Sequence, residues 1–73
     1  MSSKSYFELG RVNRTFDDGS GIIVEFETAA TRETYEIDRR LWKQLARWVG
    51  YTPNGANREV GIEVQDGVII GFQ

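Results

Sequence analysis

Five stretches of the chain are typical of β-strands, because apolar side chains alternate with polar ones over most of their length. They cover residues 6–16, 22–28, 33–37, 60–64 and 68–72. In each strand we expect one face to lie against the core. The inward side chains are predicted to be Val12, Ile22, Val24, Phe26, Tyr35 and Ile37 from the first three strands, and Val60, Ile62, Val64, Val68, Ile70 and Phe72 from the last two.

The segment between the third and fourth strands has helical periodicity instead. Its apolar side consists of Leu41, Trp42, Leu45, Trp48 and Val49. We predict a helix over residues 39–49, with Asp38 as the N-cap and Gly50 ending it in the left-handed conformation. The periodicity also predicts that both tryptophans lie in the core.

Turn residues set the expected pairing of the first three strands. A three-residue loop at 17–19, with its glycine left-handed, places Val12 opposite Val24. A four-residue loop before the third strand places Phe26 opposite Tyr35. Both pairings keep the apolar residues on one face of the sheet.

The last hairpin has two possible registers. A three-residue loop at 65–67 keeps Val68, Ile70 and Phe72 on the apolar face and leaves Ile69 outside. A two-residue turn reverses these faces. The first register is predicted, because a slip of one residue moves the whole hydrophobic set.

These elements follow one another in the order β-β-β-α-β-β, which is an α+β chain. We expect a flexible tail at 1–5 and a single domain at 6–73. The predicted architecture is a five-stranded antiparallel bent sheet, or a half-open barrel, with one amphipathic helix packed on it. The first or the last strand is expected to be an edge that accepts a partner strand.

The amino-acid composition excludes most catalytic mechanisms, because the chain has no cysteine and no histidine. No serine–histidine–aspartate triad or thiolate nucleophile can form, and zinc sites almost always use one of these two residues. The glycines match no phosphate-binding loop, and the loop at 17–21 lacks the ligand spacing of a calcium loop. We expect no enzymatic activity, no catalytic residues, no metal and no cofactor.

The same composition bears on location. Small secreted domains usually carry disulfides, so a chain without cysteine favours a reducing compartment. Its longest apolar runs, at 22–24 and 68–70, are three residues long, too short for a signal peptide or a membrane span. We therefore expect a cytoplasmic protein that is a monomer or a weak homodimer and does not bind membranes.

Two surfaces are candidates for binding a partner. The polar side of the helix carries Arg39, Arg40, Lys43 and Arg47. Phe7, Leu9 and Ile23 fall outside the inward set and form an apolar patch if they cluster. The basic side suits phosphates or an acidic protein surface, while a solvated outer face is the alternative. A net charge of −2, with tryptophans expected in the core, makes nucleic acid the secondary candidate.

The chain resembles small phage-encoded proteins that bind bacterial RNA polymerase. The resemblance lies in its length, its lack of cysteine and histidine, and its pattern of a sheet with one helix. This resemblance implies a transcription regulator that inhibits initiation or acts as an antiterminator. It covers the whole chain and rests on no particular residues, so no residue roles carry over.

The expected function is a non-enzymatic, protein-binding regulator that docks on a larger macromolecular machine. Two alternatives stay open. One is a nucleic-acid-binding module that uses the basic helix face, and the other is a small structural or assembly subunit.

Overall fold

The computed structural model describes residues 4–53 and 57–73. It contains β1 (Tyr6–Asp17), β2 (Ile22–Glu27), β3 (Arg32–Ile37), α1 (Arg39–Val49), β4 (Val60–Gln65) and β5 (Val68–Phe72). The predicted order of elements is therefore confirmed, and the helix has the bounds that its periodicity indicates.

The five strands close into a barrel in the order β1-β2-β3-β5-β4. Closure depends on the length of β1, which pairs with β4 through residues 6–10 and with β2 through residues 11–17. Neighbouring strands are antiparallel except β3 and β5, which pair in parallel at two positions. The first and the last strands are thus each hydrogen-bonded on both sides, and the prediction that one of them forms a free edge is wrong.

A five-stranded barrel of this order, with a helix between β3 and β4, has the topology of the OB-fold. Gly10 lies where β1 passes from β4 to β2. A Cβ atom at Gly10 would overlap the carbonyl oxygen of Glu27 and would lie 2.9 Å from the ring of Phe26. Only glycine lets the two strands approach this closely at the bend.

The pairing of β1 with β2 differs from the predicted register. The loop comprises residues 18–21, so Asp17 pairs with Ile22. The carboxylate of the first loop residue accepts hydrogen bonds from the backbone N–H groups of the third and fourth residues, which closes this longer turn. A bulge in β1 immediately after Val12 then shifts the register, so Val12 faces inward opposite Phe26.

The pairing of β2 with β3 is displaced by two residues from the prediction. Val24 lies opposite Tyr35, and Ile22 lies opposite Ile37. A displacement of two preserves the face of every side chain. All inward residues predicted for these strands are accordingly buried.

The last hairpin has the register that the sequence prediction rejected. Its turn at 66–67 has φ angles of 54° and 77°, which fit a two-residue type I′ turn. Ile69 lies opposite Val64 and is 1% exposed, whereas Ile70 is 45% exposed. Ile70 is an extra residue in β5, a bulge that returns Phe72 to the inward side.

The helix begins and ends as predicted. The carboxylate of Asp38 accepts hydrogen bonds from the backbone N–H groups of Arg40 and Leu41, and Gly50 has a φ of 65°. Leu45 and Val49 join the inward side chains of the barrel in one core.

Trp48 is 52% exposed, so the prediction that it lies in the core is wrong. At 100° per residue, it stands about 60° around the helix from Leu45, at the margin of the apolar arc. Trp42 lies at the same angle on the other side of Leu45 and packs against the core, so periodicity alone does not distinguish the two tryptophans.

Candidate functional site

Arg39, the first basic residue of the helix, is occupied by a structural contact. Its guanidinium donates two hydrogen bonds of 2.6 Å to the carboxylate of Asp17. The guanidinium, together with the N–H of Gly19, lowers the pKa of Asp17 from 3.8 to about 2. This bidentate ion pair joins the start of α1 to the end of β1, so the charge of Arg39 is already used within the fold and is not available to a binding partner.

The other three basic residues predicted on the helix are exposed. They are Arg40, Lys43 and Arg47. Within residues 4–53 and 57–73, no carboxylate lies within ion-pairing distance of any of them. Their charges are therefore available to a binding partner.

An open groove runs between α1 and β5, and we call it the α1–β5 groove. It consists of two depressions of about 460 and about 420 Å³ that share Gln44. The basic–aromatic end is lined by Lys43, Gln44, Arg47, Trp48, Arg58 and Phe72. The apolar end is lined by Asp38, Arg40, Leu41, Gln44, Val68, Ile69 and Ile70.

The basic–aromatic end combines two exposed features. The rings of Trp48 and Phe72 lie with their centroids 6.5 Å apart at an angle of 44°, within the range of favourable aromatic pairs. Lys43, Arg47 and Arg58 surround them, and none of the described residues that line this end is acidic. The result is an aromatic surface in a positive potential.

Arg58 enters the groove from a distant part of the chain. Its backbone N–H donates a hydrogen bond of 3.3 Å to the carbonyl of Val49, which fixes it beside the C-terminal end of α1. Sequence reasoning missed Arg58, because the loop before β4 has no periodicity that relates it to the helix. It also missed Ile70 and Phe72 as groove residues, although the Asp-Gly turn is a recognisable signal of the correct register.

The predicted apolar patch does not assemble. Phe7 and Leu9 are 56% and 62% exposed and project from the outer side of β1 opposite β4. Ile23 pairs with Phe16 near the other end of β1 and is only partly exposed. Ile23 therefore lies on a different strand pair, at the opposite end of β1 from Phe7 and Leu9.

The outer face of β2 and β3 is acidic. This is the face that OB-folds often use for oligonucleotides. Here Glu25 forms an ion pair with Arg14 at 3.5 Å, and Glu27 pairs with Arg32 at 3.3 Å. A hydrogen bond from an asparagine side chain, followed by the charge of the arginine, lowers the pKa of Glu27. A polyanion would meet carboxylates here that are already paired with arginines.

Tyr35 contributes to the barrel interior. Burial, together with its hydrogen bond to the carboxylate of Glu8, raises the pKa of the phenol. The hydroxyl therefore stays protonated and donates to Glu8, joining β3 to β1 across the inside.

A scan of protein-family models gave no match, and searches of curated proteins and of solved structures gave no significant match. Function must therefore be inferred from the surfaces, since a fold does not specify one.

Two further properties can be stated for the described parts of the chain. They contain no group of three or more carboxylates placed to hold a metal ion. The helix that they contain is too short and too polar to span a membrane.

Proposed function

We propose that this protein is a non-enzymatic regulator that docks on a larger protein complex through the α1–β5 groove. The observation that carries the proposal is the half-exposed indole of Trp48, set against Phe72 among three cations for which the described residues supply no acidic partner. Tryptophan and arginine are enriched among the residues that dominate protein interfaces.

The apolar end extends the same surface. Ile70 is exposed there beside Leu41 and Val68, so the groove offers apolar side chains at one end and a basic rim at the other. Protein interfaces have this composition, with an apolar centre and a polar margin. A self-assembling subunit has less support, because barrel closure removes the free edge expected at β1 or β5.

Bacterial RNA polymerase is the first complex to test, on the strength of the resemblance to phage-encoded regulators. In this proposal the protein occupies a surface of the polymerase in the cytoplasm and competes with another factor there. It needs no catalytic group, since occupancy alone changes which factors bind.

The direct test measures binding of purified RNA polymerase, core and holoenzyme, to the immobilised full chain. We expect stoichiometric binding that Trp48→Ala and Arg47→Glu each weaken by at least about tenfold. Lys4→Glu is the matched control, because it makes the same change in net charge at a residue that lines neither depression of the groove, and it should leave binding unchanged. If neither the polymerase nor any protein of a bacterial lysate binds stoichiometrically, the proposed function is wrong.

Single-stranded nucleic acid is the second candidate, and one observation favours it. Trp48 is exposed beside Lys43, Arg47 and Arg58, as in sites where bases stack on an aromatic ring and cations contact phosphates. Fluorescence anisotropy with an oligothymidylate at low salt tests it. Binding that weakens steeply with salt and is lost in Trp48→Ala would support this candidate over the first.

A further inference from the structure

We propose that the occupant of the α1–β5 groove is an acidic peptide segment of the partner, which inserts one aromatic side chain beside Trp48 and Phe72. This inference rests on the proposed function and adds the chemistry of the ligand.

The charge distribution selects an acidic ligand. Lys43, Arg47 and Arg58 line one end of the groove, where no described acidic residue accompanies them. Since the whole chain carries a net charge of −2, the rest of it carries −5 when these three cations are set aside. Positive potential is therefore local to the groove, and the remaining surface repels an acidic ligand.

The two aromatic rings select the anchoring residue. Their 44° tilt and 6.5 Å separation leave about half of Trp48 in contact with solvent. A third ring at about 4.5–7 Å from both centroids would complete an aromatic cluster and remove that surface from water. An aliphatic side chain would bury area there without the favourable ring geometry.

The apolar end of the groove favours a peptide over a nucleic acid. Leu41, Val68 and Ile70 form an apolar floor on the other side of Gln44. A peptide can place apolar side chains on this floor and carboxylates on the basic rim. A phosphodiester backbone would have to lay charged groups over the same apolar surface, at a cost in desolvation.

The experiment uses the full ¹⁵N-labelled chain and a synthetic peptide of six acidic residues around one central phenylalanine. NMR titration follows the indole N–H resonances of Trp48 and Trp42, and it detects weak binding as well as strong. One control peptide has alanine at the centre, and a second has amides in place of the carboxylates.

We expect the acidic phenylalanine peptide to shift the indole resonance of Trp48 and to leave that of Trp42, which packs edge-on against Tyr51, almost unchanged. Each control peptide should bind at least about tenfold more weakly. Arg47→Glu should weaken the acidic peptide by a similar factor, and Lys4→Glu should not. Circular dichroism of each variant establishes that it is folded.

Several results would overturn the inference. Equal binding of the amide peptide removes the charge argument, and equal binding of the alanine peptide removes the aromatic anchor. Tighter binding of an oligothymidylate at Trp48 assigns the groove to nucleic acid. A partner complex that still forms with Arg47→Glu and Trp48→Ala places docking elsewhere. That result refutes the peptide site and the assignment of docking to the groove, while the proposal that the protein docks on a larger complex still stands.

Discussion

Replacing Leu45 and Trp48 by alanine, one at a time, distinguishes the packed side of α1 from its exposed side. Hydrophobic periodicity treats the two residues alike, but the structure buries Leu45 fully and exposes 52% of Trp48. Truncating a fully buried leucine removes its transfer free energy and leaves a cavity. Leu45→Ala should therefore lower the free energy of unfolding by about 2.7–5.0 kcal/mol.

The expected cost of Trp48→Ala is smaller. A buried aromatic side chain removes about 200 Å² from water, so half of Trp48 corresponds to about 100 Å². At about 25 cal/mol per Å², this area contributes at most about 2.5 kcal/mol. Residual burial in the unfolded chain, together with the part that alanine retains, lowers the expected loss to about 1–2 kcal/mol.

Urea denaturation followed by far-ultraviolet circular dichroism measures both values, because this signal does not depend on the indole that is removed. The slope of free energy against urea should be the same for both variants, so that the difference in midpoint reports stability alone. A larger loss for Trp48→Ala than for Leu45→Ala would show that the indole is buried. The exposed aromatic surface on which the docking proposal depends would then not exist.

Three further predictions concern the barrel. Gly10→Ala should destabilise the fold by about 1–3 kcal/mol or more, measured by the urea midpoint, because its Cβ would overlap the carbonyl of Glu27. The ion pair between Asp17 and Arg39 should stabilise the fold fully above pH 3.8, because folding lowers the pKa of Asp17. This stabilisation should be lost as the pH falls to about 2. An Arg39→Ala variant should lose less stability than the wild type over the same pH range. Asn57→Ala should cost about 1–3 kcal/mol in the same assay, because the buried amide bonds the backbone of β1 and of the loop after α1.

Local signals predicted the elements well, because each is determined by neighbouring residues. The caps at Asp38 and Gly50 fix both ends of α1 through hydrogen bonds within a few residues. Alternation identified the inward faces of β2 and β3, even though the pairing between them is displaced. Alternation with a period of two determines which face a side chain occupies. It does not fix the pairing, because sliding one strand by two residues along its neighbour leaves every side chain on the same face.

Two of the three register errors have the same physical origin. The first and the last hairpins each contain a bulge, one after Val12 in β1 and one at Ile70 in β5. A bulge changes the phase of a strand, so a rule that preserves strict alternation selects the wrong loop length. In the last hairpin that rule outweighed an Asp-Gly turn signal that was correct.

The candidate site was predictable only in part, for a related reason. Arg40, Lys43 and Arg47 lie on one helix and can be grouped by periodicity alone. Arg58 joins them through its backbone hydrogen bond to Val49, and Phe72 joins them because the parallel pairing of β3 with β5 brings the last strand beside the helix. That pairing joins segments more than 30 residues apart at two positions, and no local pattern encodes it.

The bulge at Ile70 links the irregularity of the fold to the groove. After the two-residue turn, strict alternation would place Phe72 on the outer face of the barrel, on the same side as Ile70. The extra residue returns Phe72 to the inner side, where it meets Trp48, while Ile70 stays exposed on the apolar floor. A single bulge thus supplies one ring of the aromatic pair and the exposed apolar side chain next to it. Departures from regular local structure tend to occur where a surface has a use other than stability, and this one lies within the groove to which we assign docking.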